Sequence, residues 1–518
     1  MKVLLGTVSP MPGAASTVYR REMTDDQSGT ERVALANGTV RGFRRGSVRY
    51  FLGLHYASAP VGARRFAHPE PVGPWSGEYD ASHPGPIAPQ RIKAFPGLDV
   101  AILVGDGTPR GDDHLSLNVW SPAEAANRPV MVFIHGGGFV AGSKDAAVQD
   151  GATFARDGVV CVAINYRLGV EGFLPIPGVP TNLGLRDMIA GLCWVRDNIA
   201  AFGGDPGNVT VFGESAGAMA IADLIASPLA KGLFARAIVQ SGHGAMVRPL
   251  TVAQRLVKKL AALMKVTPDA AGFRSVDVEA ALDAAQAVSL PTARIDLRDE
   301  RGFEPVFGIS RFVPVFGDDV LPLHPVAALE AGAGADIDLL IGTNAEEMNL
   351  YWVPTGVKAK IGRLLAWVVL RKSLPRAWRV LKAYGMGRRP PGDVFADATT
   401  DLVFRWPARV YAAAHRGRTH LYEFDWRSPM FDGKLGAAHG MELPFVFDSL
   451  ATATGPEGIV GSAPPQDLAD RIHALWVGFA TDGSLPWPEF EADTRQVYQL
   501  ARGETVSEGV MPAAEFLR

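Results

Sequence analysis

Asn208-Val209-Thr210-Val211-Phe212 leads directly into Gly213-Glu214-Ser215-Ala216-Gly217, and the helix-forming run 218–224 follows at once. A G-x-S-x-G sequence between a strand and a helix holds its serine on a sharp turn, with the hydroxyl exposed above a sheet. Glycine is needed on both sides of the turn because a side chain there would collide with the neighbouring strand or helix. This stretch therefore predicts a nucleophilic serine, Ser215, at the end of a buried strand.

A second glycine-rich sequence follows an earlier apolar run. Residues 130–134 read Val-Met-Val-Phe-Ile, and His135-Gly136-Gly137-Gly138-Phe139 comes next. Backbone N–H groups at a strand end that carries no side chains can stabilise the oxyanion of a tetrahedral intermediate. Gly137, Gly138 and the residue after the serine, Ala216, are the candidate donors. The two glycine-rich sequences together predict a serine hydrolase.

Apolar runs alternate with helical patterns through the middle of the chain. The runs are 130–134, 158–164, 209–212, 237–240 and 337–341. Continuous apolar runs of about five residues are typical of strands buried on both faces, and their alternation with helices indicates a parallel sheet. We therefore expect an α/β fold with a central, mostly parallel sheet flanked by helices. The runs 420–424 and 496–500 could extend this sheet late in the chain.

The chain has 518 residues, and we predict two parts: a flexible leader over 1–30 and a single α/β catalytic domain over 31–518. Within the domain, 355–393 is distinctive because it interleaves ten basic residues with leucine, valine and tryptophan. We interpret 355–393 as a helical lid or regulatory insertion packed over the mouth of the active site. The alternative is a basic amphipathic helix that lies on a membrane surface.

Composition narrows the classes of partner. Fifty-one basic and 54 acidic residues are dispersed along the chain, which argues against a nucleic-acid surface. No apolar run approaches the ~20 residues of a membrane span, so we expect no stable membrane insertion. Two cysteines exclude a disulfide framework, and no Cys/His cluster suggests a metal or cofactor. We expect a cytoplasmic monomer or homodimer, with a weak export signal at residues 1–8 as the alternative location.

A serine nucleophile needs a base, and in hydrolases with this turn the acid and then the histidine follow the serine. Of the four histidines late in the chain, only His439 lies in a predicted loop, flanked by small residues that leave its ring free to aim; the others are His415, His420 and His473. The predicted strand 337–341 is followed by both Glu346 and Glu347. Spacing alone does not decide whether Glu346 or Glu347 is the partner of the histidine.

Many short blocks then occur in an order that resembles a known family. The chain is similar over roughly 33–490 to the type-B carboxylesterases of the α/β-hydrolase superfamily, which include cholinesterases and bacterial p-nitrobenzyl esterases. The blocks include Asn165-Tyr166-Arg167-Leu168-Gly169, Phe202-Gly203-Gly204-Asp205-Pro206, Gln240-Ser241-Gly242 and His439-Gly440-Met441-Glu442-Leu443-Pro444-Phe445.

The resemblance implies a role for eight residues. The family pattern G-x-N-x-x-E falls on 342–347, which selects Glu347 rather than Glu346 as the acid. The implied roles are nucleophile for Ser215, base for His439, acid for Glu347, oxyanion donors for Gly137, Gly138 and Ala216, and supporting residues for Glu214 and Ser241.

The resemblance also implies a reaction: hydrolysis of carboxylic esters through an acyl-enzyme, without metal or cofactor. The apolar content of the predicted lid, 355–393, favours uncharged small-molecule esters, with short to medium acyl chains or aryl groups, as substrates. The alternatives are a lipase and a non-catalytic cholinesterase-like binding module. His114 stands where the family commonly has a disulfide cysteine, which favours a bacterial, intracellular protein.

Overall fold

The computed structural model describes residues 28–105, 109–290 and 293–517. The first strand begins at Ser28, and residues 1–27 of the predicted leader lie outside the described residues. The strands in chain order are β1 (Ser28–Leu35), β2 (Gly38–Arg45), β3 (Val48–His55), β4 (Glu78–Asp80), β5 (Ser116–Pro122), β6 (Arg128–Ile134), β7 (Val160–Ile164), β8 (Gly204–Glu214), β9 (Arg236–Gln240), β10 (Arg248–Pro249), β11 (Val315–Phe316), β12 (Asp338–Asn344), β13 (Thr419–Phe424), β14 (Gln496–Gln499) and β15 (Glu504–Ser507).

Among the described residues, thirteen of these strands form one sheet, in the order β1-β2-β3-β5-β7-β6-β8-β9-β12-β13-β14-β15, with β4 paired to β2. From β7 to β14 every neighbouring pair is parallel, and the pairs that flank this block, β5–β7 and β14–β15, are antiparallel. The remaining two strands, β10 and β11, pair by themselves. This is the predicted α/β fold with a central, mostly parallel sheet.

The centre of the sheet is buried on both faces, which explains its continuous apolar runs. In β6, Val130, Val132 and Ile134 contribute to one hydrophobic cluster, whereas Met131 and Phe133 contribute to the cluster on the other face. Side chains alternate between the two faces of a strand, so each apolar run contributes to the hydrophobic clusters on both faces of the sheet.

The helices are α1 (Ala101–Val104), α2 (Ala152–Arg156), α3 (Gly169–Phe173), α4 (Leu183–Asn198), α5 (Ala216–Ala226), α6 (Leu250–Met264), α7 (Ala270–Arg274), α8 (Val278–Ser289), α9 (Pro325–Glu330), α10 (Asn349–Trp352), α11 (Val357–Lys360), α12 (Arg363–Leu370), α13 (Ala377–Ala383), α14 (Pro391–Thr400), α15 (Trp406–Ala414), α16 (Leu443–Val446), α17 (Leu450–Ala453) and α18 (Gln466–Asp482). A π-helical turn, Asp401–Arg405, joins α14 to α15. Helices α4 and α5 cover one face of the sheet, and α16 to α18 cover the other. None of the described helices is both long and apolar enough to cross a membrane.

The segment 355–393 contains α11, α12, α13 and the start of α14. Its inward side chains form a third hydrophobic cluster, which Trp352 at the end of α10 also contacts. The segment therefore shares a small core beside the main one with later residues of α14, Leu402 and Ala513. Its function as a lid stays a prediction.

Candidate active site

Four parallel strands at the centre of the sheet end at one edge, and the predicted site residues follow these strand ends. His135 follows β6, Ser215 follows β8, Ser241 follows β9, and Glu347 lies three residues beyond β12. In open α/β sheets, ligands bind outside the carboxyl ends of the strands. Strand order alone therefore brings residues far apart in the chain to one edge.

Ser215 lies on the sharp turn between β8 and α5. Its backbone has φ of 55° and ψ of −122°, a conformation that L-residues rarely adopt. A Cβ atom at Gly217 would lie 1.9 Å from the Ile134 carbonyl oxygen, and one at Gly213 would lie 2.5 Å from the same atom. Both glycines are therefore required by the close approach of β6, as the sequence indicated.

His439 lies between Ser215 and Glu347. Its Nε2 is 2.8 Å from Ser215 Oγ, and its Nδ1 is 2.7 Å from Glu347 Oε2. An ionised carboxylate has no proton to donate, so Glu347 accepts a hydrogen bond from Nδ1–H of His439. The other nitrogen of the neutral ring, Nε2, then accepts from the serine hydroxyl. This chain of hydrogen bonds can take a proton from the serine as the oxygen attacks.

The other candidates for acid and base lie elsewhere. Glu346 turns away from His439 and pairs with Arg427 while accepting from the Ala437 N–H at 3.1 Å. His415 bonds Thr419 and the Gly334 carbonyl, and His473 bonds the Val446 carbonyl. His420 packs its ring against Trp487.

A buried polar network holds the two loops that carry Glu347 and His439, and sequence reasoning did not assign it. The Asn344 N–H donates to Glu347 Oε1 at 2.8 Å, and its side-chain amide donates to the Ala438 carbonyl at 2.7 Å and to Glu442 Oε2 at 2.6 Å. Gln240 donates to the other Glu442 oxygen at 3.3 Å. Asn344 is the asparagine of the G-x-N-x-x-E pattern, and its place in this pattern was the feature of the sequence that could have indicated the network.

The glycine-rich loop passes close to Ser215. A Cβ atom at Gly136 would lie 2.8 Å from Glu214 Oε2 and 3.1 Å from Ser215 Cβ. Gly137 and Gly138 have φ of 106° and 63°, which favour glycine. Within the described ranges, the N–H groups of Gly137, Gly138 and Ala216 donate to no acceptor. Ala216 is also the first residue of α5, where the helix dipole favours negative charge.

Glu214 Oε1 lies 3.1 Å from His439 Nε2, on the same nitrogen that faces Ser215. The side chain is only 7% exposed, and burial raises the pKa of Glu214 to about 8. Burial alone would lower the pKa of His439, but the charges of Glu214 and Glu347 and the hydrogen bond to Glu347 outweigh it and raise that pKa to about 9. When ionised, Glu214 therefore favours the protonated imidazolium, the form that cannot act as a base.

Ser241 lies at the predicted strand end, but its side chain joins neither Glu347 nor His439. Its N–H donates to the Gly342 carbonyl, and its φ is 53°. Its buried hydroxyl oxygen has no hydrogen-bond partner in the part of the chain that the structure describes. The supporting role of Ser241 therefore stays a prediction.

Aromatic rings enclose His439, and these residues too were missed. The Phe404 ring centroid is 4.7 Å from that of His439, and the Tyr351 centroid is 5.8 Å from it. Phe404 belongs to the π-helical turn. Just after this turn, Pro407 lacks the N–H that an α-helix would direct to the Val403 carbonyl. His243 Nε2–H donates to this carbonyl at 2.7 Å. Pro407 inside a helical pattern was the signal for the distortion.

No group of three or more His, Cys, Asp or Glu residues in the described ranges is arranged to hold a metal ion. Both cysteines are free thiols; Cys161 is buried in β7 and Cys193 is half-buried on α4.

Fold and site together define an α/β hydrolase with a serine at the turn after a central strand. The chain belongs to the carboxylesterase family, whose model matches residues 29–514. It is 35% identical over 479 residues to a para-nitrobenzyl esterase of Bacillus subtilis (strain 168), covering 89% of this chain and 93% of that protein. It is 30% identical to an acetylcholinesterase of Bungarus fasciatus, over 92% of this chain and 83% of that one.

Solved structures agree with the sequence comparison. A PNB esterase structure is 32% identical and has a TM-score of 0.78, with 92% of this chain and 97% of that chain covered. A Geobacillus stearothermophilus carboxylesterase is 33% identical with a TM-score of 0.77, again covering 92% and 97%. The protein is a carboxylesterase with the α/β-hydrolase fold.

Proposed function

We propose that this carboxylesterase uses Ser215 as nucleophile, His439 as base and Glu347 as the acid that orients the histidine. The observation that carries the proposal is the unbroken chain from Ser215 Oγ to His439 Nε2, 2.8 Å, and from His439 Nδ1 to Glu347, 2.7 Å. In this order each group has one function: the carboxylate selects the Nδ1–H tautomer, and the free Nε2 accepts the serine proton.

The reaction proceeds in two halves. Ser215 Oγ attacks the ester carbonyl carbon while its proton moves to His439 Nε2, and the oxyanion accepts hydrogen bonds from the N–H groups of Gly137, Gly138 and Ala216. The imidazolium then protonates the leaving alcohol, and the acyl group stays on Ser215. Water attacks this acyl-enzyme as His439 takes its proton; the carboxylic acid leaves and the proton returns to the serine oxygen.

We propose uncharged esters with short to medium acyl chains or aryl groups as substrates. Phe404 and Tyr351 surround the base with apolar surface, and Tyr351 in turn contacts Phe95, with ring centroids 6.2 Å apart. These rings favour an uncharged group near the reacting carbon. A relative named for para-nitrobenzyl esters supports trying aromatic esters first.

The test is hydrolysis of a p-nitrophenyl ester series of increasing acyl length by the native protein and by Ser215→Ala. We expect rapid turnover of the shorter esters and a loss of at least about 10⁴-fold in kcat/KM in the variant. Ser289→Ala is the matched control, since this serine lies at the exposed end of α8 and its hydroxyl donates to the Ala285 carbonyl. A rate maximum at the longest chains, with activation by an oil–water interface, would replace the substrate proposal with a lipase.

A further inference from the structure

The outer surface of α12 and α13 exposes large apolar side chains, where a helix that faces water is normally polar. Of the eleven large hydrophobic side chains exposed among the described residues, four lie within 364–378. They are Leu364, which is 71% exposed, Leu365 at 48%, Trp378 at 40% and Val369 at 38%. Such a local concentration marks an interaction surface rather than scattered exposure.

The geometry of α12 shows that folding does not require these side chains. Ala366 and Leu370, four residues apart, are buried and form the inward face. Leu364 and Leu365 project from the other side of the same helix. The inward face already packs in the third hydrophobic cluster with Leu374 and Val380. The outer apolar face is therefore an addition to a helix that is already anchored.

Unpaired cations lie in the same stretch of sequence as these apolar side chains. Seven exposed basic residues between 363 and 388 enter none of the ion pairs found in the described ranges, and no acidic residue lies between 358 and 392. Arg371 instead lies over the Trp367 ring, 4.6 Å from its centroid. The seven are Arg363, Arg371, Lys372, Arg376, Arg379, Lys382 and Arg388. The chain as a whole has a net charge of −3, so this positive charge is local.

We propose that this basic apolar surface, residues 363–388, adsorbs onto a lipid bilayer that carries anionic phospholipid headgroups. Exposed leucine and tryptophan interleaved with lysine and arginine on short helices are the composition of segments that lie in the membrane interface. Leu364 and Leu365 enter the boundary between headgroups and acyl chains, and the cations meet the lipid phosphates. This mode of binding needs no membrane-spanning helix.

Charge distinguishes a lipid surface from a second copy of the chain. A symmetric dimer through this surface would bring the two sets of unpaired cations together at short range, which is unfavourable. A purely acidic soluble partner would satisfy the cations but not the exposed leucines. An anionic bilayer satisfies both.

The segment that carries this surface contacts residues next to His439 through its buried side, although the inference does not rest on the proposed triad. Trp352, at the end of α10, packs against the same cluster as α12 and α13, and the neighbouring Tyr351 packs against His439. An adsorbed enzyme would hold its site near esters that partition into lipid.

The test is flotation of the full-length protein with phosphatidylcholine vesicles, with and without phosphatidylglycerol. We expect binding only to the vesicles that contain phosphatidylglycerol, weakened about tenfold or more by molar salt. Leu364→Ser/Leu365→Ser should lose this binding, and so should Arg371→Gln/Lys372→Gln/Arg376→Gln/Arg379→Gln. Leu229→Ser/Leu263→Ser is the matched control, because these leucines are 44% and 43% exposed elsewhere.

Circular dichroism reports folding, and all three variants should retain the native spectrum. The proposal would be overturned if the native protein bound neither kind of vesicle. Equal binding by the native protein and the first two variants would also overturn it. Self-association that the leucine variant abolishes, without vesicle binding, would assign the surface to a second copy and would also overturn it.

Discussion

At the scale of single residues, the balance of charge around His439 controls the pH range of activity. Glu214 and Glu347 both raise the pKa of His439, and only the neutral ring can accept the serine proton. Glu214→Gln removes one of these charges, so the pKa of His439 falls. We predict that the acid limb of the kcat/KM profile moves to lower pH in Glu214→Gln, measured on a dissolved ester across a pH series.

Glu346→Gln is the control for this shift. Glu346 is next to the acid in sequence, but its carboxylate pairs with Arg427 rather than with His439. Its acid limb should coincide with that of the native enzyme. An unchanged limb in Glu214→Gln, or one that moves to higher pH, would contradict the assignment of Glu214 as a charge on His439.

At the scale of elements, the turn between β8 and α5 depends on the absence of a side chain at Gly217. A Cβ there would lie 1.9 Å from a backbone oxygen of β6, which cannot move without shifting the centre of the sheet. We predict that Gly217→Ala lowers the free energy of unfolding by about 3 kcal/mol or more, measured by urea denaturation.

Gly478, inside α18, is a glycine where the structure has room for a side chain, unlike Gly217. Its nearest neighbour would be the Ser484 carbonyl oxygen, 3.7 Å from a new Cβ. Gly478→Ala should stabilise the protein by about 0.5–1 kcal/mol, because alanine is the better helix former. Equal effects of the two substitutions would show that close packing at the turn is not the reason for Gly217.

Helix α5 also carries a buried acid, Asp223, which is 1% exposed and whose Oδ1 has no hydrogen-bond partner among the described residues. Burial raises the pKa of Asp223 well above its usual value. The folded state therefore holds a proton that the unfolded state releases, and stability falls as pH rises above about 4. We predict that Asp223→Ala is more stable than the native protein at pH 8 by about 1–3 kcal/mol.

Thermal and urea unfolding across pH would measure this difference, which should shrink toward acid pH. Asp283→Ala, at a position 69% exposed, is the control and should change stability little at any pH. A destabilised Asp223→Ala at pH 8 would mean that the carboxylate makes a favourable contact in the folded protein.

At the scale of the whole molecule, two arginines join the end of the chain to the sheet. Arg405 and Arg409 both bond Glu423 in β13 and Glu508 after β15. Burial alone would raise the pKa of Glu508, but Arg409 and Arg405 outweigh it and lower that pKa. Its contribution to stability is therefore present above the unfolded pKa and lost as pH falls through the folded one.

We predict that Glu508→Gln costs about 1–3 kcal/mol of unfolding free energy at neutral pH, and that this cost disappears in acid. Urea denaturation at several pH values measures it. Glu504→Gln, only a few residues away but 58% exposed, should cost little. A cost that persists unchanged at acid pH would show that shape, and not charge, holds the C-terminal segment.

The pattern of strands and the sharp turn at Ser215 were readable from the sequence because both depend on local rules. The run before Ser215 is a strand because both its faces are buried, and the glycines beside it follow from the close approach of β6. The same reasoning failed for Phe404 and His243. Their contacts depend on the π-helical turn, which is far in sequence from both Ser215 and His439.

The sequence by itself determined the α/β class, the turn at Ser215, the glycine-rich loop and the short list of acids and bases. Only the tertiary structure decided which of them meet: His439 contacts Glu347 across 92 positions of the chain and Ser215 across 224. It also turned Glu346 outward to Arg427 and brought Glu214 against the base. The physical reason is that backbone preferences act between neighbours in sequence, whereas these contacts arise where parallel strands end at a shared edge.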